Sequence, residues 1–217
     1  MKKVQKALLV LLRAGLWESR IEDLSCFPMS AGEWKNLYLL SRQQTVTGIV
    51  FQGIQHLPEH FLPAEELLVR WMAETDAIER KNMQMNKALE LLVQWFTESG
   101  VQPVLQKGQG IASLYENPLL RECGDIDFYF DSRQMFEKAF SLIRQCGLRE
   151  KVQADQSVTY AWKGVEVEHH TCLLDLHNPF LQRYAKELEQ QYGYNHMRLE
   201  GCLLYTSPSP RDGATSR

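Results

Sequence analysis

Two carboxylates stand two residues apart in the stretch Gly124-Asp125-Ile126-Asp127-Phe128-Tyr129-Phe130. Phe128 to Phe130 has the composition of an extended strand, with Gly124 as the turn leading into it. Alternate residues of a strand share a face, so Asp125 and Asp127 are expected to project side by side. Like charges so placed repel unless a cation lies between them. Mg²⁺, which takes one or two carboxylates together with phosphate oxygens, suits that place. Taken alone, the pair also describes two solvated acids that protect a strand edge from aggregation.

The surroundings add to the pair. Upstream, Val104-Leu105-Gln106-Lys107-Gly108-Gln109-Gly110 is an apolar strand running into a glycine-containing turn, with a short helix from Ile111 to Tyr115 behind it. Such a turn lets backbone N–H groups approach phosphates closely. Arg121 is a second cation beside Lys107, four residues before Asp125. Downstream, Val165-Glu166-Val167-Glu168-His169-His170 alternates as a strand does and carries a third acid, Glu168. His170 shares the face of Glu168, where it can orient that acid or touch a phosphate; His169 must face the other way. Together with Cys172 and His177 the histidines could be read as a zinc site, but their spacing matches no common zinc pattern.

These residues need elements to hold them. A first helix is expected over Val4 to Trp17. Ser30 and Glu33 have the spacing of a capping box opening a second helix, and a third runs through Val46, Ile49, Val50 and Ile54. From Glu65, the residues Leu68, Trp71, Thr75, Ile78, Asn82, Met85, Leu89, Leu92 and Phe96 recur at spacings of three and four as far as Gly100. That is one long helical stripe, with Met83 and Met85 read as core filling. Beyond Val101 short strands alternate with helices: strand 102–106, helix 109–116, strand 126–131 and helix 132–146. A hairpin about Lys163-Gly164 follows, then a helix from Phe180 to Gln191. The expected class is α+β, a small mixed-sheet domain with a helical N-terminal region: residues 1–100 helical, 101–201 the α/β core, 202–217 a tail.

The quoted residues resemble the nucleotidyltransferases of the DNA polymerase β superfamily. They look most like the bacterial uncharacterised nucleotidyltransferase family, and more distantly like lincosamide and aminoglycoside adenylyltransferases. The resemblance covers Val101 to His177 and rests on Lys107-Gly108, Arg121, Asp125 and Asp127, and Glu168 with His170. Gly108-Gln109 replaces the superfamily's usual Gly-Gly or Gly-Ser, and the third acid is Glu where Asp is commoner. The resemblance implies a metal-dependent nucleotidyl transfer from a nucleoside triphosphate, ATP being the expected donor, to a hydroxyl of a small molecule or a protein. Asp125, Asp127 and Glu168 would then be the catalytic residues and the ligands of two Mg²⁺ ions. Lys107, Gly108, Gln109, Arg121 and His170 would hold the nucleotide. The alternative is a non-catalytic member of the same fold that binds a nucleotide or a partner.

Composition limits the classes. The chain has 217 residues, 44% hydrophobic and 24% charged, with a net charge of −3, so no broad nucleic-acid surface is expected. Five cysteines without a C-x-x-C pair fit reduced thiols in a cytoplasmic protein. The apolar run Ala7 to Leu12 is broken by Arg13, which fits an amphipathic helix better than a signal peptide, and no stretch has membrane-spanning length. Residues from Cys202 to Arg217 break with the composition of the rest and look like translated sequencing adapter, so the expected natural chain runs past Gly201.

Overall fold

The computed structural model describes residues 2–173, 178–199 and 202–206. They form two compact units. One holds the residues up to Gln84 together with Ala112–Cys123; the other holds Met85–Ile111 and the chain from Gly124 onward. The division falls inside the long helix and not at residue 100, and the chain visits the first unit a second time over Ala112–Cys123.

The first unit is helical: α1 (Lys3–Trp17), α2 (Ala31–Gln43), α3 (Thr47–Ile54) and the first part of α4 (Glu65–Glu98). The capping box forms as its spacing demands. Ser30 Oγ accepts from the Glu33 N–H, and Glu33 Oε2 accepts from the Ser30 N–H at 2.7 Å. Leu11, Leu37, Ile54 and Trp71 are fully buried in one core, and the Trp71 indole N–H donates to Thr47 O at 3.0 Å. α1 and α3 cross where each has a glycine. A Cβ on Gly15 would sit 1.9 Å from Ile49 O, and one on Gly53 2.0 Å from Leu11 O. Of the α4 stripe in this unit, Trp71, Thr75 and Asn82 are buried and Ile78 is only half-buried. Met83 is half exposed, contrary to its reading as core.

The second unit is a seven-stranded mixed sheet carrying helices. Its strands are β1 (Val104–Gln106), β2 (Ile126–Tyr129), β3 (Glu150–Val152), β4 (Val158–Trp162), β5 (Val165–His170), β6 (Asn195–Leu199) and β7 (Cys202–Thr206), in the order β3-β4-β5-β2-β1-β7-β6. β2 runs parallel to β5, and β1 to β7; the other neighbours are antiparallel. The expected helix at 109–116 is shorter, α5 (Gly108–Ala112), because the chain leaves this unit at Ala112. Ser132 caps α6 (Arg133–Gln145), and Asn178 caps α7 (Pro179–Tyr192). Cys202–Thr206, set apart from the fold by composition, lies inside the sheet; Cys-Leu-Leu-Tyr-Thr is a sequence of strand formers whatever its origin.

One face of this sheet is the core. Phe96, at the end of the α4 stripe, meets the rings of Phe128, Phe130 and His169, while Trp95 stacks on Trp162 at 5.4 Å. Met85, Leu89 and Leu92 are buried with them. The class is α+β, with the helical region at the N-terminus. No helix among the described residues is long and apolar enough to cross a membrane.

Candidate active site

The other face of the sheet carries the acids. β2 and β5 are parallel neighbours in a register that sets Asp127 opposite Glu168 and Phe128 opposite His169. Alternation does the rest. Phe128 and His169 point into the core, and Asp127, Glu168 and His170 share the opposite face. His170 Nε2 lies 2.8 Å from Asp127 Oδ1 and 3.7 Å from Glu168 Oε2. One ligand atom from each of Asp127, Glu168 and His170 lies within 4.8 Å of the others. Glu166, on the same face, is exposed.

Asp125 is not part of that trio. It precedes β2 and is half-buried, and burial is the main cause pushing its carboxyl above the usual range. The charges of Asp127, Glu168 and Glu166 push the same way, and Lys107 opposes them. Asp125 therefore belongs to the same electrostatic cluster without reaching the same point.

The turn after β1 supplies the cation. Lys107 and Gly108 both take left-handed backbone angles, φ 44° and 38°, a conformation that glycine adopts without penalty. The turn leaves Lys107 Nζ 3.7 Å from Asp127 Oδ1. Gln109 does not face outward. Its side chain is buried against Met85 Sδ, so only its backbone N–H remains for a phosphate. Arg121 belongs to the first unit, where its guanidinium donates to Cys123 Sγ at 3.0 Å and its carbonyl accepts from Asn82.

Of the histidines that could be read as a zinc site, His169 takes no part. His169 is wholly buried in the core, its Nε2 2.8 Å from the Tyr160 hydroxyl, and burial holds its pKa down to about 3. His177 lies outside the described residues.

Two residues of the site were not picked out by motif. Ser157, buried just ahead of β4, donates from Oγ to Glu168 Oε1 at 2.6 Å, and its own N–H is held by Asp155 Oδ1 at 3.0 Å. Gln106, opposite Asp127 across the β1–β2 ladder, donates from Nε2 to the carbonyls of Cys172 and Leu173, 3.2 Å each, and tethers the chain leaving β5. The period-two pattern of β4 could have placed Ser157 on the acid face; nothing in the sequence marks Gln106. At the carboxyl ends of β2 and β5 a cavity of about 400 Å³ is lined by Tyr129, Asp131, Thr171, Cys172, Lys186 and Glu189 among others, and by none of Asp125, Asp127, Glu168 and His170.

A family model described as uncharacterised nucleotidyltransferase matches residues 30–212. The chain belongs to that family. The match extends well beyond the stretch Val101 to His177, taking in most of the helical N-terminal region. No curated protein and no solved structure matches the chain. Nucleotidyl transfer is the general chemistry that the uncharacterised nucleotidyltransferase family carries in its description, and the acids of this site lie within the matched span.

Proposed function

We propose that this protein transfers a nucleoside monophosphate from a nucleoside triphosphate, ATP in the first instance, to a hydroxyl of an acceptor. The observation that carries the reading is the register of β2 and β5, which sets Asp127 against Glu168, together with the Lys107 ammonium 3.7 Å from Asp127. The donor set fits divalent cations: two carboxylates and an imidazole with converging atoms, and a third carboxylate beside them. Magnesium held by Asp125, Asp127 and Glu168 would neutralise charge on the phosphoryl oxygens.

The protein's own groups have separable roles. β1 is antiparallel to β2, so the Lys107-Gly108 turn lies at the amino end of β2, where Lys107 and the backbone N–H groups after Gly108 hold the triphosphate. The cavity lies at the carboxyl end of the same strand, with Asp127 between the two. In-line displacement needs attacking and leaving oxygens on opposite sides of the phosphorus, so we assign the cavity to the acceptor. Glu168, with one oxygen held by Ser157, would serve as the third carboxylate ligand of the metal.

The test is calorimetry of ATP and GTP binding, with and without Mg²⁺, on the wild type and on Asp127→Asn. It is paired with pyrophosphate release across a metabolite panel. Metal-dependent binding that the substitution abolishes, with pyrophosphate released in the wild type, supports transfer. Equal, metal-independent binding in both proteins would leave a nucleotide-binding module and sink the transferase.

A further inference from the structure

We infer that His170 is a metal ligand, and that Asp127, Glu168 and His170 form a mixed nitrogen–oxygen site preferring a first-row transition ion over Mg²⁺. This deepens the reading above by naming the cofactor class at one of its metal positions. Three observations lead to it.

The first is spacing. Donors bound to one ion at about 2.1 Å stand roughly 3 Å apart when adjacent and roughly 4.2 Å apart when opposite. The contacts of His170 Nε2, 2.8 Å to Asp127 Oδ1 and 3.7 Å to Glu168 Oε2, already fall in or near that range.

The second is the allotment of Glu168. Ser157 occupies Oε1 at 2.6 Å, so Oε2 alone is left towards the other two donors. Glu168 is thereby prepared as a one-oxygen ligand.

The third is the identity of the donors. Asp125, the residue that would complete an all-oxygen set, stays outside the trio, and an imidazole nitrogen stands in it. Mg²⁺ is a hard ion served by oxygen and water, whereas an imidazole nitrogen suits the later first-row transition ions. An ion bound between Asp127 and His170 would take the place of the 2.8 Å hydrogen bond they share.

The alternative is that His170 only orients Asp127 by that hydrogen bond. Pulsed electron paramagnetic resonance of Mn²⁺ added to the full chain without nucleotide separates the two. The expected result is ¹⁴N coupling from a directly bound nitrogen in the wild type. His170→Gln should lose that coupling and bind Mn²⁺ at least about tenfold more weakly, with Mg²⁺ affinity little changed. Absence of ¹⁴N coupling in the wild type, or equal losses for Mn²⁺ and Mg²⁺ in His170→Gln, overturns the inference. Should His170→Gln fail to fold, Glu168→Gln serves as the second variant. It must weaken Mn²⁺ while keeping the nitrogen coupling, and loss of the coupling there counts against the inference. No nucleotide is present, so a failure of nucleotidyl transfer leaves this measurement standing.

Discussion

Ser157 holds one oxygen of Glu168 and leaves the other to face His170 and Asp127. The hold is itself supported. The turn from Gln153 to Ser157 closes through a hydrogen bond from the Gln153 N–H to Ser157 O at 2.8 Å, and Asp155 Oδ1 accepts from the Ser157 N–H. A carboxylate that has lost such a partner rotates and offers its oxygens without preference. Ser157→Ala should lower the affinity for divalent metal about 10–100-fold, the usual cost of removing a group that orients a ligand. Ser157→Thr, which keeps the hydroxyl, should recover most of it. Metal titration of both variants checks this, and equal loss in both would assign the effect to packing.

His169 makes a prediction about acid stability. Burial, with a smaller contribution from His170, keeps its folded pKa near 3, against about 6.5 when unfolded. For a base with a depressed folded pKa, stability is fully present above the unfolded value and is lost as pH falls. The window runs from about pH 6.5 down to about pH 3, with a slope of at most about 1.4 kcal/mol per pH unit from this one group. The double variant His169→Phe with Tyr160→Phe removes both partners of the buried hydrogen bond and leaves neither unsatisfied. At pH 5 its unfolding should take up about one proton fewer than that of the wild type. An unchanged acid limb in urea unfolding would mean that His169 is not the group responsible.

The helical unit offers a paired test. Gly53 meets the Leu11 backbone so closely that an added Cβ has no side chain to push aside, only a helix to displace. Gly53→Ala should cost at least about 2–3 kcal/mol. Gly32, in α2, has nothing within 4 Å of the same added atom, so Gly32→Ala should gain roughly 0.5 kcal/mol from helix propensity alone. Urea denaturation followed by the fluorescence of Trp34 and Trp71, both buried in that unit, measures the two. A mild effect at Gly53 would show that α1 and α3 separate more easily than their crossing suggests.

What the sequence made legible was local. Alternation in Val165 to His170 separates Glu168 and His170 from His169 before any partner is known, and the Ser30–Glu33 and Ser132 caps announce their helices. Met83 was legible and misread. Two residues turn a helix by about 200°, so Met83 and Met85 cannot both face the core. The illegible parts are long-range. That β5 lies beside β2, in a register pairing Asp127 with Glu168, depends on a crossover spanning α6, β3 and β4. β3 is Glu-Lys-Val at a sheet edge, too short and too polar to announce itself. The trio forms without Asp125, which stands one residue ahead of β2; the strand starts at Ile126, as expected, so its regular alternation does not reach back to that acid.

Asp125 and Asp127 then part company in a way that can be measured. Asp125 has its pKa raised by burial first and by its acidic neighbours next. For an acid raised in the folded state, its contribution to stability is fully present below the unfolded pKa and is lost as pH rises through the folded one. At neutral pH its ionised carboxylate is a net cost. Asp125→Asn should therefore unfold at a higher urea concentration than the wild type at pH 7, and the advantage should vanish near pH 3. Asp127 has partners in Lys107 and His170, and Asp127→Asn removes both attractions, so no such gain is expected there. Both substitutions should lower nucleotidyl transfer about 10²–10³-fold. A residue that destabilises the fold while supporting turnover is kept for chemistry, whereas an edge-guarding acid would gain stability on substitution with no loss of any activity. Stability and pyrophosphate release measured on the same Asp125→Asn preparation decide between them, and a variant more stable but equally active would return Asp125 to the solvated edge.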